Sequence, residues 1–141
     1  MLLKDLVPKQ AKVRNKKQLL RFVHYLLGRE GLINIDYADF NTVFSRASQI
    51  YYGYGYAWSK KIKEGKGRRA GRSALRRLVP KNKFRSVILN ISGGSDLALH
   101  EVSEAAEQIY SCCGRRANII FGAVIDKKLK GKIRVDVVGV W

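Results

Sequence analysis

The chain has 141 residues, which suits one compact domain, and 46% of them are apolar, ample for a buried core. No apolar run approaches the roughly 20 residues that cross a bilayer, and the charged first 20 residues do not read as a secretory signal peptide. The expectation is a cytoplasmic protein without a transmembrane segment. A net charge of +17, from 28 Lys and Arg against 11 Asp and Glu, asks for an acidic partner and says nothing directly about fold.

That charge is uneven. Lys60 to Arg85 holds twelve basic residues and one acid, Glu64, and residues 1–30 hold eight basic residues and two acids. The stretch from Ser86 to Trp141 is closer to balance. Cys112 and Cys113 are adjacent, so neither a disulfide framework nor a zinc site follows. His24 and His100 fall on different predicted helices with no third ligand or nucleophile spaced to join them, and no metal site is expected.

In chain order, residues 1–15 contain Pro8 and scattered lysines with no sustained period and read as a basic N-terminal arm. Lys16 to Leu27 places apolar residues at 19, 20, 23, 26 and 27, a helical stripe that Gly28 can end. A second short helix is predicted from Tyr37 to Ala47, starting beneath acidic residues that favour helix N-termini. Ile50, Tyr52, Tyr54, Tyr56 and Trp58 alternate with Tyr51, Gly53, Gly55 and Ala57, a strand with its aromatic residues on one face. SKKIKEGKG then reads as a loop. It leads to a helix near Arg68 to Val79, with Gly71, Ala74, Leu75 and Leu78 inward and Arg68, Arg69, Arg72 and Arg76 outward, stopped by Pro80.

Ser86 to Ile91 is a short apolar strand and Gly93-Gly94 a turn. A helix follows from Asp96, with inner positions Leu99, Val102, Ala106, Ile109 and Cys113 and a stop at Gly114. Asn118 to Ile125 and Lys132 to Trp141 are strands whose proximity across DKKLKG predicts a hairpin. The element order gives an α+β fold, an α/β sandwich in which two or more helices cover an approximately four-stranded mixed sheet.

Gly31 to Phe40 reads GLINIDYADF and sets Asn34, Asp36 and Asp39 in an N-x-D-x-x-D array. This decapeptide closely resembles the catalytic loop of FtsZ, the bacterial tubulin-like cell-division GTPase. SVILNISGGSDLALHEVSEAAEQI resembles the strand, double-glycine turn and helix of that family's C-terminal domain, NIIFGAVID its next strand and IRVDVV its last. The four matches keep the family's order from Gly31 to about Val140. The resemblance implies an FtsZ/tubulin C-terminal-domain fold over residues 31–141, with residues 16–30 standing where the family's long central helix ends.

The family's N-terminal GTP-binding domain carries a G-G-G-T-G-[TS]-G phosphate loop, and no comparable run exists here. GGSD at Gly93 to Asp96 is too short. The expectation is therefore no GTP bound by this chain alone and no enzyme on its own. In FtsZ-like filaments the loop carboxylates of one subunit approach the nucleotide of the next. By resemblance Asp36 and Asp39 polarise water and help place a cation there, with Asn34 orienting the loop. GTP and a cation are then engaged only at an interface with an intact FtsZ or FtsZ-like subunit, whose polymerisation or GTP hydrolysis the chain modulates in trans. Acids at these positions also suit plain capping of the helix that follows.

A second departure is GYGYAWSKKIKEGKGRRAGRSALRRLV, where the family typically has a short glycine-acid turn and a mildly charged helix. Lys60, Lys61, Lys63, Lys66, Arg68, Arg69, Arg72 and Arg76 form a footprint for nucleic acid or another acidic surface, the alternative function. Tyr51, Tyr52, Tyr54 and Tyr56 could stack on bases or pack a core. Glycine opposite aromatics could also leave a cleft of the kind in which that family binds ligands. An inactive, truncated structural module is the remaining alternative.

Overall fold

The computed structural model describes residues 3–29, 31–58, 65–78, 84–113 and 116–141. Of the loop expected at 59–67, residues 59–64 lie outside the described residues, as do the helix stops expected at Pro80 and Gly114, while Lys66 and Gly67 already belong to the helix that follows. Five strands form one mixed sheet: β1 (Lys12–Val13), β2 (Gln49–Trp58), β3 (Ser86–Gly93), β4 (Asn118–Ile125) and β5 (Lys132–Val140), in the order β1-β2-β5-β3-β4. Four of them are long, as the periodicities indicate, and β1 adds two residues parallel to β2. The helices are α1 (Lys16–Leu27), α2 (Tyr37–Phe44), α3 (Lys66–Arg77) and α4 (Leu99–Cys113).

Strand alternation divides the core into two layers. Ile88, Val138, Val140, Ile50 and Tyr52 face α1 and α2, where Leu19, Phe22, Val23, Phe40 and Phe44 are buried. Val87, Leu89, Ile91, Val135 and Val137 face α3 and α4, against Ala70, Ala74, Leu75, Ala105 and Ile109. A sheet apolar on both faces needs a helix layer on each. That is the α+β sandwich expected, with two helices per face.

The predicted hairpin does not form. β4 runs parallel to β3, while β5 lies antiparallel between β2 and β3, so residues Asp126 to Gly131 carry the chain across the end of β3. There the Asp126 N–H donates to the Gly93 carbonyl at 2.8 Å. The physical reason is burial. From Val135 to Val140 every residue of β5 is buried, and a strand apolar on both faces is stabilised at the centre of a sheet rather than in an edge hairpin.

Three local expectations also shift. The N-terminal arm is packed: Leu3–Leu6 makes a turn of 3-10 helix, Leu6 and Val7 join the core beneath α1 and α2, and the Lys12 N–H bonds the Ser48 carbonyl at 2.9 Å. A single apolar pair carries no period, so this segment gave no pattern to read. α4 starts at Leu99 rather than Asp96. Leu99 is not an inner position but 82% exposed, because Leu97 fills the space against Gly93. Among the described residues no helix is long and apolar enough to cross a membrane.

Candidate functional site

The acidic loop links α1 to α2 and is pinned from below. Ile33 exchanges both backbone hydrogen bonds with Ala123 of the edge strand β4, at 3.2 and 2.9 Å. Ile35 is buried against Gly122, where a Cβ would come to 2.7 Å of its Cδ1. With Ile35 inward, its neighbours Asn34 and Asp36 point out to solvent. Asn34 Oδ1 accepts from the Gly31 N–H at 2.6 Å and closes the loop on itself. The three residues singled out by sequence thus lie close together, Asn34 and Asp36 exposed and Asp39 half-buried in the first turn of α2.

Asp36 and Asp39 form a capping box at the start of α2. Asp36 Oδ1 accepts from the Asp39 N–H, and Asp39 Oδ2 accepts from the Asp36 N–H, both at 2.9 Å. The capping reading is therefore realised, and it coexists with an exposed array. Each carboxylate uses one oxygen in the box, and the second oxygen of each has no partner among the described residues. Flanking them, Leu32 and Ile33 are 67% and 44% exposed. Loss of the cap is separable from loss of charge, because Asn caps about as well as Asp while Ala does not. Asp36→Ala is expected to lower stability by about 1 kcal/mol, and Asp36→Asn to leave it nearly unchanged, as read by urea denaturation.

The tyrosine face of β2 forms a second feature. Tyr52, Tyr54, Tyr56 and Trp58 follow one another along one side with ring centroids 5.9 to 6.1 Å apart. A cleft of about 480 Å³ opens between them and α1, lined by Phe22, Tyr25, Tyr54, Tyr56, Asp126 and Arg134 among others. It does not arise from the glycines. Gly53 and Gly55 face the opposite side and admit α3, a Cβ on Gly53 reaching 2.8 Å of the Ala74 carbonyl oxygen.

Beneath the cleft lies a buried ion pair absent from the sequence-level site. Asp136 accepts from Arg134 Nε and Nη2, each at 2.9 Å at the closest, and from the Tyr52 hydroxyl at 2.6 Å. Arg134 also donates to the Tyr56 and Tyr52 hydroxyls and lies 4.7 and 5.0 Å from the Tyr54 and Tyr56 ring centroids. Burial pushes the Asp136 carboxyl above the ordinary carboxylate range, against the pull of Arg134 and Tyr52. Nearby, burial and the bond to Asp126 push the Tyr25 hydroxyl up to about 12. The missed signal was legible in principle: Arg134 and Asp136, two residues apart, place a charged pair on one face of an otherwise apolar strand.

The basic helix lies on the other face of the sheet from the acidic loop. Of its predicted footprint, Lys60, Lys61 and Lys63 lie outside the described residues. Lys66 turns toward α4 and pairs with Glu101 at 3.5 Å and Asp96 at 3.6 Å. Arg68 and Arg69 are half-buried rather than projecting, while Arg72 and Arg76 are exposed. Among the described residues no group of acids, histidines and cysteines could hold a metal ion.

The comparisons with known proteins agree with this architecture. The profile of the FtsZ family, C-terminal domain, matches residues 51–140. The cell division protein FtsZ of Magnetospirillum gryphiswaldense is 40% identical over 119 residues, which cover 84% of this chain and 21% of that protein. FtsZ of Wolbachia pipientis is 35% identical over 118 residues, 84% of this chain and 38% of that protein. Among solved structures, a point mutant of FtsZ from M. jannaschii superposes with a TM-score of 0.72 at 28% identity, over 89% of this chain and 38% of that one. An empty FtsZ dimer from M. jannaschii gives 0.70 at 25% identity, over 99% and 42%. The chain spans only 21% and 38% of the length of the two curated relatives. With the sheet, the loop and the family profile in agreement, the chain belongs to the FtsZ family and carries the fold of its C-terminal domain.

Proposed function

We propose that this chain is a cytoplasmic, FtsZ-related cell-division protein that presents its acidic loop to the GTP face of an intact FtsZ subunit and modulates polymerisation or hydrolysis there. The observation that carries the reading is the segment with Asn34 and Asp36 exposed and Asp39 half-buried, whose two carboxylates are held in fixed orientation by their own capping box. GTP hydrolysis needs a positioned water and compensation of charge on the transferred phosphoryl group, with little covalent chemistry from the protein. Two carboxylates, each with an oxygen to offer, suit the ordering of a water and a cation at a neighbour's nucleotide. Leu32 and Ile33 supply apolar contact beside them, and the solved M. jannaschii dimer makes contact between subunits the natural setting.

In this role GTP and its cation belong to the interface with the intact subunit. The long-range attraction comes from the +17 charge, which favours an acidic filament and speeds encounter more than it adds affinity. Docked on an exposed nucleotide face at a filament end, the chain competes with intact subunits for that end. Added in excess to intact FtsZ polymerising on GTP, it is expected to lower polymer mass measured by sedimentation and to change phosphate release. Unchanged polymer mass together with unchanged release would overturn the role.

A further inference from the structure

The acidic loop has little packing of its own. Leu32, Ile33, Asn34 and Asp36 are exposed, and Ile35 is the one buried side chain between Gly31 and Asp36. α2 seats Asp39 through the buried Phe40 and Phe44, but the segment before Asp36 depends on what holds its flanks. One attachment is to β4, where Ile33 exchanges backbone hydrogen bonds with Ala123. A Cβ on Gly31 would collide with the Ala123 carbonyl oxygen, so the chain leaving α1 lies directly against that strand.

The other attachment ties the end of α1 to the residue that follows β4. The Tyr25 hydroxyl donates to Asp126 Oδ2 at 2.8 Å, and Arg29 Nη2 lies 3.6 Å from the same oxygen. The Arg29 guanidinium sits over the Tyr25 ring, 4.2 Å from its centroid. Asp126 is itself fixed: its Oδ1 accepts from the Lys128 N–H at 3.0 Å, and its own N–H donates to the Gly93 carbonyl at 2.8 Å. Burial of the carboxyl works against its ionisation, yet the bonds from Tyr25 and the Lys128 N–H, with the charge of Arg29, hold it below the ordinary carboxylate range. A hydrogen bond to a charged acceptor is about twice as strong as one between neutral groups.

We infer that Asp126 is a positioning residue for the acidic loop: by holding Tyr25 and Arg29 it fixes the end of α1 on the strand end that also seats Ile33, and so sets where Asn34 and Asp36 stand. Asp126 and Ala123 are three residues apart, so the two attachments share a frame of roughly 10 Å of extended chain. With both in place the loop cannot swing independently of the sheet. Without the first it is hinged at Ile33, and its carboxylates lose a defined distance to anything docked against them. The consequence for a neighbour's nucleotide rests on the function proposed above, whereas the clamp itself is a property of this chain alone.

The test uses the full chain and Tyr25→Phe, which removes one hydroxyl and keeps the ring beneath Arg29. Amide hydrogen exchange followed by NMR should show the Gly31 and Ile33 amides exchanging about 10-fold faster relative to those of β3 and β5, the loss expected for a hydrogen bond to a charged group. Arg29→Leu, at the rim of the clamp, should act in the same direction, and Tyr25→Phe should add little in an Asp126→Ala background. Val137→Ala truncates the core on the other face of the sheet and should lower protection throughout without singling out the loop. Circular dichroism verifies that each variant is folded. Loop amides unmoved by Tyr25→Phe, or singled out equally by Val137→Ala, would overturn the clamp. Added in excess to intact FtsZ turning over GTP, Tyr25→Phe should change phosphate release less than the wild-type chain does, with Asp36 and Asp39 untouched. An equal change beside faster loop exchange would overturn the positioning role. If the wild-type chain leaves release unchanged, the loss falls on the function proposed above, and the exchange rates still decide the clamp.

Discussion

Arg134→Leu is expected to destabilise the domain by about 3 kcal/mol or more, a large share of the roughly 5–15 kcal/mol that holds a domain of this size together. Asp136 is 0% exposed on the central strand, and its carboxylate has Arg134 and Tyr52 as its partners. Removing the guanidinium leaves a buried charge with the Tyr52 hydroxyl as its remaining side-chain partner among the described residues. The typical loss for breaking a buried pair is about 3–5 kcal/mol. The Arg134 side chain is 25% exposed, which places the expectation toward the lower end.

The double variant Arg134→Leu/Asp136→Val should recover most of the loss, since replacing both partners by apolar groups leaves no unpaired charge. A pH signature distinguishes the charge argument from simple loss of packing. Burial already raises the folded-state pKa of Asp136 above its unfolded value, and loss of Arg134 raises it further. A carboxyl shifted in that direction stabilises the fold while protonated, below the ordinary carboxylate range, and that contribution is lost as pH rises through the folded value. Relative to wild type, the single variant should therefore lose less at about pH 4 than at about pH 7. Urea midpoints at the two values measure it, and a loss independent of pH would contradict the assignment.

Gly55→Val is the second large effect, with an expected loss of about 3 kcal/mol or more from overpacking against backbone. A Cβ at Gly55 would overlap Ser73 and Ala74 of α3, lying 2.6 Å from the Ser73 carbonyl carbon. The obstacle is the helix backbone itself, so no rotamer change relieves it. α3 must lift, and with it go the bonds from Arg69 and Arg77 to the carbonyls of Trp58 and Tyr54. That would uncover the edge of β2, whose unpaired groups invite strand addition from another copy. Calorimetry should show a lower midpoint, with aggregation on heating. Even Gly55→Ala should be costly, and a variant within about 0.5 kcal/mol of wild type would show that α3 is not seated there.

Much of this was written in local pattern. The stripe at 19, 20, 23, 26 and 27 gave α1 at its observed limits, and the tyrosine alternation gave β2 within a residue. Strand pairing was not written there, because periodicity reports which residues face a core and not which strand lies beside which. Only the unbroken burial of Val135 to Val140 hints that β5 is central. The glycines of β2 were legible as small residues, but their purpose, admitting α3, depends on a helix 20 residues further on.

The candidate sites show the same division. Asn34, Asp36 and Asp39 were found because they fall close together in a decapeptide that resembles the family's catalytic loop, though their charge alone could not separate a cap from a catalytic array; the geometry shows the cap. The spacing of two between Arg134 and Asp136 is visible in the chain, but their partners Tyr52 and Tyr56 come from β2, which no linear spacing relates to β5. Lys66 looked like one more basic side chain until α4 supplied its two acids.

The central claim is that the carboxylates of the loop, and not merely its shape, act on a neighbour's nucleotide. Phosphate release by intact FtsZ, measured with an excess of the chain and with an excess of the Asp36→Asn/Asp39→Asn variant, tests it most directly. The variant keeps side chains able to cap α2, so its stability should match wild type. The wild-type chain is expected to alter release, and the equally stable variant to lose this effect. An identical effect from both proteins would contradict it.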